Sequence, residues 1–60
     1  MSFATKLKMI RISKKQLQED MAEELHTSKS AISRYETGEQ QPDETFINKV
    51  AEVYNINKEW

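Results

Sequence analysis

Sixty residues, 37% of them apolar and 32% charged, allow one soluble domain over residues 1–60, and a chain this short buries only about 60% of its unfolded surface. With no cysteine, a disulfide scaffold and a thiolate zinc site are excluded. No apolar run approaches the roughly 20 residues of a membrane span, and no secretory leader is recognisable, so a cytoplasmic location is expected. The net charge of −1 is unevenly spread. Residues 1–34 carry seven basic groups (Lys6, Lys8, Arg11, Lys14, Lys15, Lys29, Arg34) against four acidic ones, and residues 35–60 carry two against six. Distribution, more than total charge, locates an electrostatic footprint, so a polyanionic partner is not excluded.

Helical spacing recurs along the chain and no stretch alternates like a strand. Phe3, Leu7 and Ile10 follow a Ser2 cap and predict a first helix to about Arg11. Leu17, Met21 and Leu25, with Ala22 alongside, predict a second. Its start is ambiguous: "SKKQ", residues 13–16, can form a capping box that begins the helix early. Ser28 caps a third helix, with Ala31, Ile32 and Tyr35 inward and a stop at Gly38, the chain's single glycine. Pro42 and Asp43 open a fourth, with Phe46, Ile47, Val50, Ala51 and Val53 inward and an end near Tyr54–Asn55. Asn57 can cap a fifth, which reaches Trp60 after barely a turn. The expected class is all-α, a compact bundle of four to five short helices.

Only "HTS", residues 26–28, separates the second and third helices. So short a turn forces a steep crossing, the helix-turn-helix geometry. Ala22 supplies the small side chain that close crossing needs. His26 falls where a left-handed residue is wanted, a conformation it tolerates at some cost.

The stretch "MAEELHTSKSAISRYETG", Met21 to Gly38, resembles the signature of the phage repressor and Cro helix-turn-helix family, the xenobiotic-response-element type. The apolar–Ala pair, the turn four residues later, Ser28, Ile32, Ser33, the Tyr35–Glu36 pair and Gly38 fall in register without a gap. Pro42 and "TFINKVAEVYNI" match that family's fourth helix, so the resemblance covers roughly residues 5–60. Three positions depart from the pattern. His26 stands where glycine is usual, Leu17 where an oxygen-bearing cap is usual, and Gln16 where a buried aliphatic residue is usual.

On the third helix Lys29, Ser30, Ser33 and Arg34 share the face opposite Ala31, Ile32 and Tyr35. On an isolated helix such residues are simply a solvated face. In a helix-turn-helix they are donors suited to base edges and phosphates, with the helix N-terminus entering the major groove. The resemblance implies that Lys29, Ser30 and Arg34 touch bases and that Gln18 touches phosphate. Ser33, on the same outward face, and Ser28, at the helix start, complete the expected DNA-binding set. It also implies that Glu36 turns inward to pair with Arg11, a structural ion pair.

The remaining polar groups have plainer readings. His26 has no second histidine or cysteine with which to bind metal. Glu19, Asp20, Glu23 and Glu24 form like-charge i,i+4 pairs, either a solvated face or an acidic patch for a protein partner such as RNA polymerase. Lys14 and Lys15 serve as loop solubilisers or as phosphate contacts, and Trp60 belongs to a dimer or domain interface. No nucleophile–base pair, catalytic carboxylate pair or phosphate loop is visible, so no enzyme activity, cofactor or metal is expected. The reading is a sequence-specific double-stranded DNA-binding transcriptional regulator that binds a palindromic operator as a homodimer. It is either a repressor that occupies the promoter or an activator that offers a surface to polymerase, between which the sequence does not choose. The competing class is an antitoxin or other protein-interaction module with an acidic partner surface. The short fifth helix fits either a complete chain or the N-terminal part of a longer regulator.

Overall fold

The computed structural model describes residues 2–57. Four helices follow one another: α1 (Phe3–Ser13), α2 (Gln18–Glu24), α3 (Lys29–Thr37) and α4 (Glu44–Val53), with no strand among the described residues. The predicted fifth helix and the interface role of Trp60 depend on residues 58–60, outside the described residues.

Three helices start on a side-chain oxygen of the preceding residue. Ser2 Oγ accepts from the Thr5 amide at 3.3 Å, Ser28 Oγ from Ala31 at 3.0 Å, and Asp43 Oδ1 from Phe46 at 2.8 Å. Each satisfies one of the first-turn donors that a helix cannot satisfy itself. α2 has Leu17 at this place and no such cap. Its Asp20 carboxylate instead reaches back to accept from the Leu17 amide at 2.9 Å, and the acids Glu19 and Asp20 lie at the positive end of the helix dipole.

Every helix ends near a residue of left-handed backbone. Only Gly38 (φ 84°) is a glycine; the others are Lys15 (φ 56°), His26 (φ 55°) and Asn55 (φ 53°). After α1, Gln16 N–H donates to Arg11 O; after α2, Thr27 donates to Ala22 O; after α4, Ile56 donates to Ala51 O, at 2.8–3.0 Å. This is the Schellman arrangement, which satisfies otherwise orphaned carbonyls.

Lys15 also settles where the second helix begins. Its left-handed backbone terminates α1, and Leu17 is extended (φ −82°, ψ 164°), so no early capping box forms over Ser13–Gln16. α1 itself runs two residues past the expected Arg11, to Ser13.

α3 packs on both α1 and α2 and so lies at the centre of the molecule. Leu7, Met21, Leu25, Ile32 and Val50 are fully buried, ringed by Ala22, Ala31, Tyr35, Phe46 and Tyr54. Phe3 meets Tyr35 and Phe46 edge-on at 6.2 and 6.0 Å, while Tyr35 and Phe46 stack at 4.1 Å. These geometries suit the aromatic quadrupole and add to the area buried. Val53 does not join the core as its spacing predicts. It is exposed although Val50, Ala51 and Tyr54 around it are buried, so it lies at the edge of the buried face, and Ile56 packs against the core.

Gln16, which replaces the aliphatic residue usual in the resembled family, is half-buried and fully engaged. Its side-chain oxygen accepts from the Tyr54 hydroxyl at 3.1 Å and its amide nitrogen donates to Glu24. A polar group beside a core costs little once it is paired. Burial, with a smaller contribution from the charge of Glu24, pushes the Tyr54 phenol up to about 12, which keeps it protonated as the donor to Gln16.

Candidate nucleic-acid interface

The outward face of α3 follows from the inward one. Ala31, Ile32 and Tyr35 are buried, which leaves Lys29, Ser30 and Arg34 exposed and Ser33 half-exposed on the other side. These four line one open concavity together with Gln18 from the start of α2 and Glu39 from the loop after α3. A second, adjoining hollow is lined by Arg11, Leu17, Gln18, Glu19 and Lys29. Gln18 and Lys29 border both, so the first turns of α2 and α3 form one continuous surface. Ser28 stands beside this group, not in it. Its oxygen accepts from the Ala31 amide, and its hydroxyl hydrogen remains available for an outside acceptor.

The turn between α2 and α3 aims this surface. His26 takes the left-handed conformation that reverses the chain. Ala22, buried on α2, gives α3 room to cross closely. From the other side, Lys49 of α4 donates its ammonium to Leu25 O at 3.1 Å, capping the C-terminal end of α2 with a positive charge.

Arg11 and Glu36 tie α1 to the last turn of α3. Arg11 Nε donates to Glu36 Oε2 at 2.7 Å and Nη2 to Oε1 at 3.1 Å, a two-pronged ion pair whose side chains are exposed by only 15% and 5%. The third prong, Nη1, donates to Gln16 O at 3.0 Å. The hydrogen bond to Glu36 raises the Arg11 pKa, burial partly opposes it, and the carboxylate charge adds to the rise. Glu36 Oε1 also accepts from Gln18 Nε2 at 3.3 Å. One hydrogen of the Gln18 amide is thereby directed inward, and the other remains for a ligand on the surface.

Two participants carry no local signal in the sequence. Glu39 adds a carboxylate to the lining of the concavity that Arg34 also lines. Gln40 holds Arg34 directly: its Oε1 accepts from Arg34 Nε at 3.1 Å, and its Nε2 donates to the Tyr35 hydroxyl at 3.2 Å. Both residues follow Gly38 in a loop whose path is set by tertiary contacts, so periodicity says nothing about them.

In chemical terms the face offers an ammonium, a guanidinium, two hydroxyls and an amide, donors suited to phosphate oxygens and guanine edges. Among the described residues no group of His, Cys, Asp and Glu is arranged to hold a metal ion, and no helix is long and apolar enough to cross a membrane. No curated protein and no solved structure matches the chain significantly. The helix-turn-helix family model matches residues 7–60, nearly the whole chain and all of the surface just described. The chain therefore belongs to the helix-turn-helix family of the repressor and Cro type.

Proposed function

We propose that the protein is a sequence-specific double-stranded DNA-binding transcriptional regulator, acting as a repressor by occupying its operator. The observation that carries this reading is the convergence of Lys29, Ser30, Ser33 and Arg34 with Gln18 on one open surface of a helix-turn-helix chain. α3 lies in the major groove with its N-terminal half deepest, so Lys29 and Ser30 meet base edges and Arg34 reads a turn further on. Gln18 and Ser28 hold phosphate. One such module makes few contacts, and a homodimer on a palindromic operator raises both affinity and specificity.

Selection of bound sequences from random duplex DNA tests this directly, because it yields the operator, its symmetry and its half-site spacing. On that operator Arg34→Ala and Lys29→Ala should each cost about 1 to 3 kcal/mol of binding and relax preference at one base pair per half-site. Gln18→Ala should weaken all sequences alike, since a phosphate contact carries no sequence information. If both alanine variants bind as tightly as the parent, α3 is not the reader.

The exposed acids Glu19, Asp20, Glu23 and Glu24 on α2 favour a second reading. In it, the same fold presents an acidic surface to a protein partner, as an antitoxin or other protein-interaction module does. Binding to duplex DNA that falls steeply with salt supports the first reading, and its absence at low salt supports a pure interaction module.

A further inference from the structure

We propose that Gln40 is a positioning residue for base reading, which fixes the Arg34 guanidinium so that its two Nη groups are presented outward. The inference rests on the proposed role of Arg34 and adds a residue that touches no DNA.

The geometry runs outward from the core. The Tyr35 ring is buried and stacked on Phe46 at 4.1 Å, so its hydroxyl is a fixed point. Gln40 Nε2 donates to that hydroxyl at 3.2 Å, and Gln40 Oε1 accepts from Arg34 Nε at 3.1 Å. The orientation of the amide is dictated by chemistry: a guanidinium has donors only, so the atom facing it must be the carbonyl oxygen. The backbone adds a third tether, since Gln40 N–H donates to Arg34 O at 3.3 Å. The loop thus folds back on the very residue whose side chain it holds.

With Nε occupied, the remaining donors of Arg34 are on Nη1 and Nη2. That edge is the fork that matches guanine O6 and N7. Arg34 is itself exposed, and a long exposed side chain ordinarily samples many rotamers. Holding it beforehand removes part of the ordering cost that binding otherwise incurs.

The test compares Gln40→Ala, Gln40→Glu, Arg34→Ala and the Arg34→Ala/Gln40→Ala double variant on the selected operator and its single-base variants. Gln40→Ala should lose about two- to tenfold of discrimination, the loss that follows from freeing one side chain, at the same base pair that Arg34→Ala relaxes. Gln40→Glu keeps the acceptor and should retain the discrimination, although its added charge weakens binding to every duplex. The double variant should behave as Arg34→Ala does. Gln40→Ala that leaves discrimination intact, weakens all duplexes equally, or adds its full effect to that of Arg34→Ala overturns the positioning role while base reading by Arg34 stands. If no preferred sequence emerges, or if Arg34→Ala keeps the parent's preference, the reading of Arg34 fails and the role of Gln40 falls with it.

Discussion

Helix α3 begins on the hydroxyl of Ser28 and stops at a glycine, whereas α2, its partner in the motif, has leucine at the cap position and histidine at the stop. The start of α2 is held from within, by Asp20 reaching back to the Leu17 amide, and its end from elsewhere, by Lys49 arriving from α4 to cap Leu25 O. α3 is locally encoded at both ends, whereas α2 relies on a neighbour for its last turn. The exception within α3 is Glu36, whose charge depends on Arg11 of α1.

That exception gives the largest expected effect. Arg11→Met leaves Glu36 almost wholly buried without its countercharge and should destabilise by about 3 kcal/mol. Lys8→Met, at an exposed position of the same helix, should change little. Denaturant melts of both variants check this, and equal small losses would show that α3 is as self-sufficient in its last turn as in its first.

The local signals of α3 come next. Ser28→Ala should cost about 1 kcal/mol, the usual value of an N-cap oxygen. Gly38→Ala should cost about 1 to 2 kcal/mol, because φ is 84° there while the space around the Cα is open. The penalty is conformational and not steric, so Gly38→Asn should recover part of it. Thermal melts of the three variants test the ordering.

For α2 the remote support can be removed on its own. Lys49→Met keeps the aliphatic stem but not the ammonium, and should cost about 0.5 to 1 kcal/mol, with the loss shrinking in high salt. A salt-independent loss would mean that packing of the stem, not the cap, is what α2 receives from α4. The smallest effect belongs to His26→Gly. Relief of the left-handed strain is offset by the greater freedom of glycine in the unfolded chain, so the variant should be neutral or slightly stabilised. A loss near 1 kcal/mol would show that the imidazole contributes a contact of its own.

The same contrast explains what was legible in the sequence. Ser28, Gly38, Asp43 and the i,i+3,i+4 pattern are local, and from them α3 could be placed between Ser28 and Gly38 and the opening of α4 at Pro42–Asp43, just before Glu44. The left-handed position of His26 was legible because so short a turn requires one. Lys15 was not, since nothing in "SKKQ" distinguishes the end of one helix from the cap of the next until Lys15 is seen in left-handed backbone and Leu17 extended. Val53 obeyed helical spacing but lies exposed at the edge of the face that Val50, Ala51 and Tyr54 bury. The outward residues of α3 were legible as a face, because the inward ones defined it. The loop groups that adjoin them, Glu39 and Gln40, were not, because their positions come from the fold and from no period in the chain.

The separation of charge along the chain has a consequence for how the protein meets a polyanion. The molecule measures 24 × 22 × 20 Å, whereas electrostatic influence decays over about 8 Å at physiological ionic strength. A phosphate approaching Lys29 and Arg34 is therefore screened from charges on the far side by more than two decay lengths. It responds to Lys29 and Arg34 in front of it and to the carboxylates of Glu39 and Glu19, which line the same two hollows, and hardly at all to the total of −1. Overall charge and local field are thus decoupled: what a polyanion meets on this face is set by where Lys29, Arg34, Glu19 and Glu39 stand, so its orientation on arrival follows those groups and not the total.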